Sequence, residues 1–138
     1  MNPLNMYRET SIKTASQGKL IVLLYDEAIK HLDKAIAILE SETRQFDKAN
    51  NAIIKAQDII TELSASLDFE KGKEIASNLF SIYVYFNHQL MSANLDKDST
   101  PLKPVRNMMY ELRSAWKQIE NTKDVQSGKG NVGVDIAG

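Results

Sequence analysis

Cysteine is absent from this 138-residue chain, which excludes disulfides and thiolate-bound metal ions. Proline and glycine are scarce, at three and six residues, and four of the glycines follow Asn121. The longest apolar run, Leu20 to Tyr25, is far shorter than the roughly 20 residues that a membrane-spanning helix needs. The opening residues, MNPLNMYRET, are too polar for a signal peptide. We therefore expect a cytoplasmic protein.

Neither sign of charge dominates the sequence. Lysine and arginine number 17 against 18 acidic residues, so the formal net charge is −1. This balance argues against nucleic acid or an anionic membrane as the main partner, because both require a basic surface. The length corresponds to one domain that is large enough to bury a core.

Four segments have the apolar periodicity of amphipathic helices, at about 17–41, 46–66, 72–95 and 102–120. The predicted core positions, in chain order, are Ile21, Leu24, Tyr25, Ala28, Leu32, Ala35, Ile36 and Leu39; Ala49, Ala52, Ile53, Ala56, Ile59, Ile60, Leu63 and Leu67; Ile75, Leu79, Ile82, Tyr83, Phe86, Leu90 and Ala93; Val105, Met108, Met109, Leu112, Trp116 and Ile119. Short connections between long helices favour antiparallel neighbours. The predicted fold is all-α, an antiparallel four-helix bundle over 17–120.

The two ends of the chain lack this periodicity. Residues 1–16 form an N-terminal segment whose apolar groups, Tyr7 and Ile12, could dock on the bundle. Residues 121–138 are rich in glycine and are predicted to be a flexible tail.

The sequence offers little for catalysis or metal binding. Neither His31 nor His88 has a glutamate three residues before it, as a carboxylate-bridged metal site in a helix bundle would need. There is no glycine-rich phosphate loop and no serine at a nucleophile elbow. Asp26, Glu27, Asp33 and Lys34 are typical of a solvated helix face. We therefore expect no enzyme activity, no cofactor and no metal.

Several apolar residues lie outside the predicted core. Leu23 projects away from the core of the first helix, and Ile54 does so on the second. The third helix carries a second apolar stripe, made of Phe80, Val84, Met91 and Leu95. Contact of a central helix with two neighbours would bury this stripe, and we expect that arrangement; the alternative is a partner. For Leu23 and Ile54 we expect a partner or the N-terminal segment.

Four stretches of the sequence resemble one known family. They are YRETSIKTASQGKLIVLLYDEAIKHL, IIKAQDIITELSASLDFEKGKEIASNL, YVYFNHQLMSANL and ELRSAWKQI, which together span about Tyr7 to Ile119. The most specific parts are Leu24-Tyr25-Asp26, the SLDFEKGKEIA helix junction, Ala93-Asn94 and the AWK motif. The chain resembles the FliS family of flagellin-specific export chaperones.

The resemblance implies a function that composition does not. Such a chaperone binds the disordered C-terminal segment of flagellin in the cytoplasm, prevents early polymerisation and helps to deliver it to the export gate protein FlhA. The chain departs from the family at Phe80 and Val84, where members commonly carry aspartate. Two alternatives remain open: a helical adaptor or scaffold for a client other than flagellin, and an enzyme with a polar interior.

Our candidate partner-binding positions combine the resemblance with the unused apolar residues. In an antiparallel bundle, Leu23 is expected at the level of the end of the second helix, so that one client segment follows a single line. The candidates are Tyr7, Ile12, Leu23, Asp26, Ile54, Asp58, Thr61, Ala65, Phe80 and Val84.

Overall fold

A computed structural model describes residues 17–128 of the chain, with side chains up to Thr122. This part consists of four helices: α1 (Gln17–Glu40), α2 (Phe46–Ala65), α3 (Phe69–Asp96) and α4 (Leu102–Gly128). Each helix packs against its sequence neighbours, and α1 also packs against α4. The predicted antiparallel four-helix bundle is confirmed.

The first helix is buried on two sides because it lies between α2 and α4. Its contact with α2 is the most extensive in the bundle, while the contact between α3 and α4 is the smallest. Of the apolar run Leu20 to Tyr25, only Leu23 is not fully buried. The bundle itself therefore covers most of this run, and Leu23, for which we expected a partner or the N-terminal segment, remains partly accessible.

Most residues of the predicted stripes lie in the core or pack against it, but three are exposed. The large, fully enclosed side chains of this core come from all four helices and include Tyr25, Ile60, Phe86 and Met109. Ile75, Met108 and Ile119, which were predicted to be core residues, are exposed. Periodicity places a residue on one side of a helix, but burial also requires a neighbour, and the small α3–α4 contact leaves apolar surface uncovered.

The junction between α2 and α3 is capped and then kinked. The Asp68 carboxylate accepts hydrogen bonds from the backbone N–H groups of Glu70 and Lys71, both at 3.0 Å, and so caps α3. Lys73 then interrupts the helix with φ 46° and ψ −117°. This backbone conformation is costly for a residue with a Cβ atom. The first turn of α3 is therefore set at an angle to the rest of the helix.

The structure describes the first part of the predicted C-terminal tail but not the predicted N-terminal segment. Helix α4 continues to Gly128, so it ends later than the predicted position at about residue 120. The helix extends there despite the weak apolar pattern, because the residues up to Gln126 contain neither glycine nor proline. The N-terminal segment, with Tyr7 and Ile12, lies outside the described residues.

Replacing Lys73 with glycine should stabilise the protein. Glycine adopts positive φ without the steric cost of a Cβ atom, so we expect Lys73→Gly to raise the free energy of unfolding by about 1 kcal/mol. The melting temperature should rise by roughly 3 to 5 °C, as measured by calorimetry. The control is Lys71→Gly in the adjacent helical turn, which should destabilise the protein. If both variants lose the same amount of stability, the backbone at Lys73 is not strained.

Candidate functional site

A cleft of about 390 Å³ opens at the end of the bundle where α1 begins. All four helices and the α2–α3 junction contribute to its walls, and more of its surface is apolar than polar. Its lining residues are Gln17, Gly18, Ile21, Leu63, Ser66, Leu67, Asp68, Lys71, Gly72, Ile75, Ala76, Leu79, Tyr83 and Trp116. A cleft of this size and polarity is suited to apolar side chains of a partner.

Two buried tyrosines form a pair next to this cleft, and one of them, Tyr83, lines it. The hydroxyl groups of Tyr25 and Tyr83 are 2.5 Å apart and share one hydrogen bond, with their rings 6.5 Å apart. Burial is the main cause that raises the pKa of Tyr25, and the nearby Tyr83 raises it further, whereas a hydrogen bond with Trp116 lowers it. Burial likewise raises the pKa of Tyr83. Both phenols are therefore neutral at physiological pH, and they join α1 to α3 beneath the cleft.

A glycine keeps α1 and α4 close together at the edge of the cleft. A Cβ atom at position 18 would clash with the Oε1 atom of Glu120, so any larger residue there would displace this buried side chain. Gly18 lines the cleft, and Glu120 lines a second groove on the other side of this contact. The cleft and the groove are thus neighbours at the same end of the bundle.

The second groove has a volume of about 210 Å³ and contains two of the predicted partner-binding residues, Leu23 and Asp26. It is lined by Lys19, Val22, Leu23, Asp26, Lys117, Glu120 and Asn121. These residues come from α1 and α4 alone. Leu23 therefore lies in a groove shared with α4, and a client path from Leu23 along the outer face of α2 stays a prediction.

Three ion pairs join α1 to α4 along their length. Arg113 binds Asp26 at 2.6 Å and Arg106 binds Asp33 at 2.9 Å; Lys103 binds Glu40 at 2.5 Å. The three acidic residues recur about every two turns on α1, and the pairs fix the antiparallel register of the two helices. Asp26 therefore has a partner in the free protein. Sequence reasoning assigned Asp26 and Asp33 to a solvated face because pairing across helices is not visible in one helix.

The histidines have ordinary surroundings. His31 is half-buried at 3.6 Å from the Glu27 carboxylate, and burial, the largest effect, lowers its pKa. His88 is exposed. Within residues 17–122, no group of three or more histidine or acidic side chains could hold a metal ion. No helix among the described residues is long and apolar enough to cross a membrane.

The remaining candidates on α2 lie together on its outer face. Ile54, Asp58, Thr61 and Ala65 are all exposed there, apart from the cleft and from Leu23. The Asn94 side chain donates a hydrogen bond to Asn50 at 2.7 Å, which fixes the register of α3 against α2. This places the outer face of α2 beside the middle of α3.

The second apolar stripe of α3 is exposed. Phe80 and Val84 are 45% and 41% accessible, and Leu95 reaches 79%. The expectation that two neighbouring helices would bury the stripe is wrong, because α3 contacts α2 and α4 through its core face instead.

Sequence reasoning did not find the cleft. Among residues 17–128, no predicted partner-binding residue lines it, since the cleft is formed by separate segments that only the fold brings together. One signal was available: the SLDFEKGKEIA junction was among the most specific parts of the family resemblance, and it supplies much of the cleft wall.

Comparison with known proteins agrees with the resemblance. The family described as "Flagellar protein FliS" matches residues 1–123. A flagellar secretion chaperone FliS from Bacillus subtilis is 30% identical over 132 residues, covering 95% of this chain and 96% of that protein. The Salmonella typhimurium protein of the same name is 35% identical over 122 residues, covering 88% and 89%. The flagellar secretion chaperone FliSB of Pseudomonas aeruginosa is 32% identical over 125 residues, covering 88% and 98%.

Substitution of the buried tyrosines should show that they act as a pair. Tyr83→Phe leaves the buried Tyr25 hydroxyl with fewer partners, so we expect a loss of about 1 to 3 kcal/mol in the free energy of unfolding. Tyr25→Phe should cause a similar loss. The double variant should lose less free energy of unfolding than the two single variants together. Denaturant unfolding of all four proteins measures the coupling. Strict additivity would show that the hydroxyl groups do not interact.

The same pair predicts a decline in stability at alkaline pH. The folded protein holds both phenols at raised pKa values, whereas the unfolded chain ionises near pH 10. The two phenols therefore make their full contribution to the free energy of unfolding below about pH 10, and this contribution is lost as the pH rises above that value. The double phenylalanine variant should lose less stability between pH 9 and pH 11 than the unmodified protein.

Proposed function

The chain belongs to the FliS family of flagellar proteins, and we propose that it is a cytoplasmic chaperone for the disordered C-terminal segment of flagellin. Its relatives are named flagellar secretion chaperones, and the chain is accordingly a chaperone and not an enzyme. Flagellin as the client, and FlhA as the gate protein that receives it, are our proposals.

The observation that carries the proposal is the apolar cleft at the start of α1. Its walls come from all four helices, so it exists only in the folded bundle. The neighbouring groove of Leu23 lies across the Gly18–Glu120 contact. A segment that places apolar side chains in both would run over the edge of the bundle from α3 to α4.

A chaperone of this kind needs no chemical energy. A flagellin segment that later joins a filament must expose apolar groups, which would aggregate before export unless they are covered. Each large apolar side chain that is fully covered contributes about 1.5 to 3 kcal/mol. Ordering the disordered segment costs about 2 to 5 kcal/mol or more. Because the cost of ordering offsets part of the gain from apolar burial, the segment binds specifically but reversibly, as delivery to FlhA requires.

The N-terminal segment would regulate access to the cleft. Gln17, the residue that directly follows this segment, lines the cleft, so residues 1–16 are attached at its edge. Tyr7 and Ile12 could then occupy the cleft in the free protein and leave it when the client binds.

Charged substitutions in the cleft and in the groove should weaken client binding. We expect Ile75→Glu and Leu23→Glu each to weaken binding of the flagellin C-terminal peptide at least tenfold, measured by calorimetric titration. Ile75 is 69% exposed, so the melting temperature should change little. Phe46→Glu is the control, because Phe46 is exposed at the opposite end of the bundle.

The same titration tests the outer face of α2. We expect Ile54→Lys to weaken binding at least tenfold as well, which would extend the client site across α2. Unchanged affinity in Ile75→Glu and Leu23→Glu would contradict the proposed site. If no flagellin peptide binds the unmodified protein, the client is a different one and the protein acts as an adaptor.

Deletion of residues 1–16 tests the regulatory role of the N-terminal segment. Removing a competitor for the cleft should tighten peptide binding and speed amide hydrogen exchange in the SLDFEKGKEIA junction. Calorimetry and exchange mass spectrometry report these two effects separately. If neither changes, the segment does not dock on the bundle.

A further inference from the structure

The hydroxyl pair of Tyr25 and Tyr83 holds one hydrogen atom more than it uses. The two oxygens lie 2.5 Å apart and share a single hydrogen bond. A phenol carries one hydrogen that it can donate, so the pair has two and the shared bond uses one. Within residues 17–122 the pair has no further acceptor. The second hydroxyl hydrogen is therefore available to a group outside this part of the chain.

Trp116 indicates which phenol keeps that hydrogen. Its indole N–H can only donate a hydrogen bond, and it bonds to the side chain of Tyr25. Hydrogen bonds in a chain strengthen one another, because a hydroxyl that accepts one bond becomes a better donor in the next. The favoured chain therefore runs from Trp116 to Tyr25 and from Tyr25 to Tyr83. In this order the unused hydrogen belongs to Tyr83.

Tyr83 is also the member of the pair that a partner can reach. It lines the cleft, whereas Tyr25 is fully buried. Ile21, Leu63 and Leu79 line the cleft as well, and their side chains cannot accept a hydrogen bond. Tyr83 thus presents a hydrogen-bond donor within an apolar wall.

A client segment in an apolar cleft needs a donor of this kind. Every residue of the segment brings a backbone carbonyl group, and a carbonyl that loses water without gaining a donor weakens binding. Within a helix these carbonyls are already bonded, whereas in extended backbone and in the last turn of a helix they are not. A donor at Tyr83 therefore favours a segment that reaches the cleft in one of these two conformations.

We propose that the Tyr83 hydroxyl donates a hydrogen bond to a main-chain carbonyl oxygen of the client and so positions the client in the cleft. This inference rests on the proposed function, in which a disordered segment of flagellin is the client. Apolar side chains of the segment supply most of the affinity, and the hydrogen bond selects the alignment that places an unbonded carbonyl opposite Tyr83. Tyr25 acts through Tyr83, because it donates to the Tyr83 oxygen and leaves the Tyr83 hydrogen to the client.

Two phenylalanine variants separate this role from a structural one. Tyr83→Phe and Tyr25→Phe each remove one hydroxyl of the same pair and should lose similar stability, but only Tyr83→Phe removes the donor. In calorimetric titration with the flagellin C-terminal peptide, at a temperature where circular dichroism shows both variants folded, Tyr83→Phe should weaken binding about five- to tenfold. Tyr25→Phe is the matched control and should bind within about twofold of the unmodified protein, because it keeps the donor. Equal weakening in both variants, or unchanged binding in Tyr83→Phe, would overturn the proposal.

Peptides that contain an ester test the acceptor in the unmodified protein. Replacing one backbone amide of the peptide by an ester makes the adjoining carbonyl a weaker acceptor and leaves the side chains unchanged. At least one ester position should weaken binding to the unmodified protein about threefold or more and have no further effect in Tyr83→Phe. If every ester that weakens binding does so equally in both proteins, the contact is wrong while the proposed function stands. If the unmodified peptide does not bind at all, the proposed function is wrong together with the contact.

Discussion

The packing of α1 between α2 and α4 determines how the rest of the molecule is arranged. The apolar run at its start is covered on both sides, and three ion pairs set its register against α4. Exposed ion pairs contribute little to stability, usually below about 1 kcal/mol each, so apolar burial holds the helices together and the pairs select their alignment. With α1 fixed, Gly18 meets Glu120 and the cleft forms beside this contact. The candidate site therefore depends on the alignment of α1 and α4.

The fold could be predicted from the sequence because helix periodicity is a local property. The stripe from Ile21 to Ala35 identified the core side of α1, and short connections gave the antiparallel order. Periodicity did not predict burial correctly at positions where burial depends on a neighbouring helix. Val22 is buried by the additional packing of α1, whereas Ile75 and Met108 remain exposed near the smallest helix contact. The end of α4 was misplaced because its last turns lack an apolar stripe although they contain no helix breaker before Ser127.

The candidate site was only partly accessible from the sequence. Leu23 and Ile54 were identified as apolar residues without a place in the core, and both have accessible surface. The positions of Leu23 and Ile54 relative to each other could not be predicted. They depend on how α1 is rotated about its axis in the bundle, and this rotation places Leu23 beside α4. The cleft joins segments as far apart as Gln17 and Trp116, and no periodic signal connects them. The family resemblance supplied what the residues did not, namely a functional class.

The two ends of the bundle are fastened differently. Away from the cleft, Asn94 joins α3 to Asn50 and also accepts a hydrogen bond from Lys97, and Glu40 binds Lys103. The cleft end has a kinked first turn of α3 and space between its helices. Polar contacts therefore join the helices at the end away from the cleft, whereas at the cleft end space remains between them. Under the proposed function, an apolar side chain of the client could enter or leave this space while the polar contacts at the opposite end stay in place.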